Sequence, residues 1–179
     1  NAIYSNLALS ILWNLTGGND AAITTLVKSK VDTDSPISFL MGLVKSATQP
    51  DICNSALKTL VLVSMLHENK VKMGSQELGL VEVLVGVIRG NHAESRRSAL
   101  ELLGSISSEK KCAVRMASRE VGMIDMLRDI LKGNSREDIQ SSLHILSNFT
   151  SIPETFELIT TSSPGIVECL IHIAEAGLN

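Results

Sequence analysis

The stretch Ser98-Ala99-Leu100-Glu101-Leu102-Leu103-Gly104-Ser105-Ile106 decides the fold. It reads small-Leu-x-x-Leu-x-x-apolar. Leu100, Leu103 and Ile106 recur at the spacing that gathers side chains on one face of a 3.6-residue helix. The same pattern stands at Ser55 to Val63 and at Ser141 to Phe149, and again at Leu7 to Leu15. Ala56 to Ala99 is 43 residues, and Ala99 to Ser142 is again 43. Ala8 to Ala56 is 48, so the first interval carries an insertion.

A second motif keeps the same period. Gly79-Leu80-Val81-Glu82-Val83-Leu84 matches Gly122-Met123-Ile124-Asp125-Met126-Leu127 and Gly165-Ile166-Val167-Glu168-Cys169-Leu170, with the glycines 43 apart each time. Ser35 to Leu40 is a weaker copy. Each unit therefore reads as three helices. A short amphipathic one comes first (Asn69 to Gln76, Lys110 to Arg119). A glycine-led one follows (Gly79 to Ile88, Gly122 to Leu131, Gly165 to Ala176). A longer closing helix ends the unit (Glu94 to Ser107, Arg136 to Thr150). Gly90-Asn91, Gly133-Asn134 and Ser163-Pro164-Gly165 break the helices. Asp51 and Ser135 are the expected N-terminal caps. The repeated glycine is expected at a sharp corner that needs φ > 0.

Composition narrows the class. The 179 residues are 44% hydrophobic and only 3% aromatic, which disfavours a sandwich or barrel. Lys+Arg 16 against Asp+Glu 19 gives a net charge of -3, which argues against a broad electrostatic grip on nucleic acid. The apolar content is too high for a disordered chain. The apolar runs are too short and too interrupted to span a membrane. Three well-separated cysteines (Cys53, Cys112, Cys169) make no disulfide framework and no C-x-x-C pair. The first residue is Asn1 and no signal segment opens the chain, so the reading expects an excised part of a longer cytoplasmic protein, with the nucleus as a second compartment.

A 43-residue, three-helix unit carrying these two motifs resembles the armadillo repeat, with HEAT repeats the alternative. The resemblance covers essentially the whole chain. It implies an all-α fold: a right-handed α-solenoid of about four repeats, in a single array over 1–179 with pieces near 1–20, 21–67, 68–109, 110–151 and 152–179. It also implies that the closing helices line a concave groove that holds a peptide. On that basis the protein/peptide-binding residues are Asn6, Ser10, Trp13 and Asn14 on the first closing helix, then Asn54, Lys58, Val61 and Leu62 on the second. Arg97, Glu101, Gly104 and Ser105 follow on the third, and Gln140, His144, Ser147 and Asn148 on the fourth. A frequent family pattern sets Trp four residues before Asn on this helix. Here the Trp column is Ser10, Lys58, Glu101 and His144, and the Asn column is Asn14, Leu62, Ser105 and Asn148, so no tryptophan is kept.

Chemistry is not expected. The sequence lacks a P-loop, a dinucleotide fingerprint and a nucleophile elbow, and its histidines lie in different repeats. Glu82, Asp125 and Glu168 fall once per repeat and read as an exterior column. Met65, Met73, Met116, Met123 and Met126 sit at core-like spacing. The resulting expectation is a non-catalytic protein–protein interaction scaffold or adaptor, with no cofactor, no metal, no nucleic acid and no membrane insertion. Both array ends are expected to expose apolar faces open to self-association. The alternatives are the substrate-recognition module of a ubiquitin ligase, a nuclear transport adaptor, and a HEAT-like nucleic-acid repair enzyme.

Overall fold

The computed structural model describes residues 36–46, 48–162 and 164–176. Ten α-helices, and no strand, occur among them. They are α1 (Pro36–Ser46), α2 (Pro50–Val63), α3 (His67–Met73), α4 (Leu80–Arg89), α5 (Ala93–Ser107), α6 (Lys110–Met116), α7 (Met123–Leu131), α8 (Arg136–Thr150), α9 (Pro153–Ser162) and α10 (Pro164–Ala176). The order short, glycine-led, closing is complete in α3–α4–α5 and in α6–α7–α8. The closing helices α2, α5 and α8 pack on one another in series. Each glycine-led helix lies against the closing helix that follows it: α1 on α2, α4 on α5, α7 on α8. That nearest-neighbour packing is what a solenoid requires.

The repeated motifs explain the packing. Ala99, Leu100, Leu103 and Ile106 of α5 are fully buried, as are Ala56, Leu57, Leu60 and Val63 of α2. On α8 the matching Ser142 and Phe149 are fully buried and Leu146 nearly so. Burying each large apolar side chain contributes about 1.5–3 kcal/mol. The small residue at 56, 99 and 142 lets adjacent helices approach.

Gly79 and Gly122 hold φ of +67° and +66°, so the chain turns into α4 and α7 through a left-handed residue, as the motif predicts. Gly165 departs from this. Helix α10 already begins at Pro164, which puts Gly165 inside the helix, and its φ is not positive. Ser135 caps α8, accepting from the Asp138 amide at 3.3 Å. Asp51 does not cap α2. Gln49 holds the cap position and Asp51 lies in the first turn, where a carboxylate still favours the helix dipole. His92 caps α5 through Nδ1, which accepts from the Ser95 amide at 3.2 Å.

Polar ties between repeats fix the stacking. Arg115 donates to the Gly74 carbonyl at 3.0 Å and pairs with Glu82. Arg96 lies 3.5 Å from Asp138 of the next repeat, held in place within its own repeat by donating to the carbonyls of Ile88 (3.1 Å) and Gly90 (2.8 Å). Lys110 pairs with Glu154 at 2.6 Å, and His67 Nδ1 lies 2.8 Å from Glu109. The turns after α2 and α8 each have a tie of their own. Asn69 donates to the Val63 carbonyl at 2.8 Å, and Thr155 donates to the Phe149 carbonyl, each six residues back.

Candidate functional site

The closing helices bury one face and expose the other, and the exposed face repeats with the period. Lys58, Glu101 and His144 are all exposed and share one column. Arg97 and Gln140 are exposed in the next column, one helical turn earlier. Ser147 is exposed, while Val61, Leu62, Ser105 and Asn148 are half-buried. Asn6, Ser10, Trp13 and Asn14 lie outside the described residues.

Asn54 differs from the expectation. It is only 7% exposed. Its Nδ2 donates to Glu94 at 3.2 Å, and its Oδ1 accepts from Ser98 Oγ at 2.7 Å. A short amide in this column leans into the neighbouring helix and satisfies both of its groups there, whereas the long Arg97 and Gln140 extend outward. Asn54 is thus a strut between α2 and α5.

Asn148 is also engaged. Its Nδ2 donates to the Gly104 carbonyl at 3.1 Å and to Ser107 Oγ at 2.8 Å, so both amide hydrogens bridge α8 to α5. Ser105 Oγ accepts from Ser64 at 2.8 Å, which ties the same column one repeat earlier. The half-buried column therefore stitches the repeats together, and the fully exposed columns carry the free side chains. Gly104 is buried, with His144 and Ile145 of α8 beside it. A Cβ at 104 would lie 3.2 Å from His144 Nδ1.

Two features escaped the sequence reading. Asp51, Glu94 and Glu137 form an exposed acidic column in the first turns of the closing helices, again 43 residues apart. The period itself was the signal for it. Met65, placed with the core methionines by its spacing, is 57% exposed. It lies just past the end of α2, in the column that Ser108 and Ser151 continue. The other methionines of that set (Met73, Met116, Met123, Met126) are buried. Glu82, Asp125 and Glu168 are exposed on the glycine-led helices.

The thiols of Cys53 and Cys112 are buried, and that burial pushes both above the ordinary thiol range. Ser95 opposes the shift at Cys53 through a hydrogen bond. A cavity of about 480 Å³ lies among α4, α7 and the turn into α8, lined by Ile88, Met126, Ile130, Arg89 and Asp129 among others. None of the exposed closing-helix columns lines it. Among the described residues no group of three or more His, Cys, Asp or Glu is placed to hold a metal ion, and no helix is long and apolar enough to cross a membrane.

No protein-family model matches the chain, and no curated protein matches it. Solved structures do. A computationally designed armadillo repeat protein for modular peptide recognition superposes with a TM-score of 0.79 at 18% identity, covering 93% of this chain and 66% of its own. A designed armadillo repeat protein in complex with the peptide (KR)4 gives 0.74 at 19% identity, covering 87% and 62%. An armadillo-repeats-only protein from Plasmodium falciparum gives 0.69 at 16% identity, covering 87% and 67%. The chain spans about two thirds of the length of these proteins. Likeness at these identities establishes the fold: this is an all-α solenoid of armadillo-like repeats.

Proposed function

We propose that the protein is a non-catalytic interaction scaffold that binds a peptide segment of a partner protein along the closing helices. The observation that carries this reading is the periodic exposed face: Lys58, Glu101 and His144 in one column, with Arg97 and Gln140 beside it. One such set per repeat matches the regular backbone of an extended segment, so affinity can accumulate over repeats while side-chain chemistry sets the choice of partner. The designed relative that holds (KR)4 is a precedent for this use of the fold. The face carries one acidic group, Glu101, beside the basic Lys58 and Arg97, so the reading favours a segment of mixed charge over a purely basic one. The half-buried Val61, Leu62, Ser105 and Asn148 would act as the floor, and Ser147 would stand on the rim.

In this reading the chain is an adaptor of the cytoplasm or nucleus, without nucleic acid as a partner. Delivering substrates to a ubiquitin ligase is one task such an adaptor serves. Selection of binders from a random-peptide display library tests the proposal. Selected peptides should lose at least tenfold in affinity, about 1.4 kcal/mol, with Arg97→Glu or Lys58→Glu. These side chains are exposed, so thermal unfolding should not move. Selected peptides that bind both variants as tightly as the parent protein would refute the assignment of this face. Asn148→Ala is a poor probe, because it also cuts the bridge to α5.

A further inference from the structure

We propose that the cavity between the two complete repeats, α3–α5 and α6–α8, binds a small zwitterion of the dipeptide kind, with a free ammonium and a free carboxylate on an apolar body. The cavity holds about 480 Å³, inside the roughly 300–1,000 Å³ of small-molecule sites. Ile88, Met126 and Ile130 form its apolar wall, and five charged side chains share the lining. The internal repeat shows that the fold does not require three of them. Arg96 stands where the neighbouring closing helices have Cys53 and Ile139. Asp129 stands where the neighbouring glycine-led helices have Gly86 and His172, and Asp138 stands where α5 has Ser95.

The charges fall into two poles. Asp138 faces Arg96 at 3.5 Å, and Arg96 also donates through Nε and Nη2 to the Ile88 and Gly90 carbonyls, so that pair is closed. Asp125 and Asp129 both pair with the one guanidinium of Arg128, at 2.7 and 3.1 Å, which leaves one negative charge over. Arg89 makes no hydrogen bond or ion pair among the described residues. Its Nη2 lies 3.7 Å from where a Cβ on Gly122 would stand, at the N-terminus of α7 and so at the positive end of that helix. One pole lacks an anion and the other lacks a cation. A molecule of a single sign suits one pole and is repelled by the other, whereas a zwitterion meets both. A dipeptide sets a peptide unit between its two charges, which suits poles too far apart to pair directly.

Leucyl-leucine is the probe, titrated into the isotope-labelled full chain and followed by amide chemical shifts. It should bind with a Kd of about 1 mM or below and move the amides of Ile130, Gly133 and Asn134. Its N-acetyl form and its C-terminal amide should each bind about three- to tenfold more weakly. Arg89→Ala should erase the distinction between the dipeptide and its amide, and Asp129→Asn the distinction between the dipeptide and its acetyl form. Both side chains are exposed, so thermal unfolding should not move. Arg97→Glu, on the face proposed for the peptide segment, should leave dipeptide binding intact, so the two sites stand or fail separately. Unmoved amides, equal affinity for the three compounds, or discrimination that survives Arg89→Ala and Asp129→Asn would overturn the proposal.

Discussion

Replacing Ser142 with alanine should stabilise the protein. Ser142 is fully buried, and its hydroxyl finds no hydrogen-bond partner among the described residues. Other buried hydroxyls do find one: Ser98 donates to Asn54 at 2.7 Å, Ser107 to the Gly104 carbonyl at 2.8 Å, and Thr155 to the Ile152 carbonyl at 2.9 Å. A buried, unpaired hydroxyl costs about 1–3 kcal/mol. The equivalent positions are Ala56 and Ala99, both fully buried, so the fold already accepts alanine at this depth. Alanine also gains roughly 0.5 kcal/mol in helix propensity. A net gain of about 1–2 kcal/mol follows, which raises the melting temperature by about 2–8 °C for a domain of this size. Urea unfolding followed by circular dichroism reads it as a higher midpoint at unchanged slope. An unchanged or lowered midpoint would mean that the hydroxyl is satisfied, and that this slot does not follow the alanine pattern of its repeats.

Further outcomes follow from the packing. Gly74→Ala should cost about 1–3 kcal/mol, because its Cβ would stand 2.6 Å from Cys112 Cβ and closer still to Sγ. Cys112→Ala in that background should recover part of the loss in the same melting assay. Gly79→Ala and Gly122→Ala should each cost about 1–2 kcal/mol, since an L-residue is strained at these positive φ values. The hydrogen bond from Lys110 holds the Glu154 carboxyl below the ordinary glutamate range. A depressed native pKa means that the pair contributes above the unfolded value and is lost as pH falls through the native one. Lys110→Met should move the Glu154 titration, followed by NMR, up toward the ordinary range, with the backbone hydrogen bond keeping part of the depression. Buried Cys53 and Cys112 should resist maleimide until unfolding, while half-buried Cys169 labels first, as read by mass spectrometry.

The closing helices were legible because their signal is long and redundant: three apolar positions per copy, one small residue, and a period that two motifs share. The left-handed corners at Gly79 and Gly122 were legible for the same reason. Gly165 was not, because the proline before it opens the helix one residue sooner and removes the need for positive φ. Met65 has core-like spacing, yet it sits beyond the last turn of α2, where periodicity no longer reports a buried face. Asn54 shares a column with Arg97 and Gln140, and helix geometry alone assigns all three outward. Side-chain length and the facing Ser98 and Glu94 decide otherwise, and neither appears in a helical wheel. The Gly104–His144 contact spans two repeats and becomes visible only once the stacking is known.

Site-specific photocrosslinking tests the central claim most directly. A benzophenone side chain is placed at position 101, on the exposed face of α5, or at position 125, on the exposed face of α7, and irradiated with a display-selected peptide bound. The account predicts an adduct from position 101 and none from position 125. An adduct from position 125 alone would contradict it, because the peptide would then lie on the glycine-led helices.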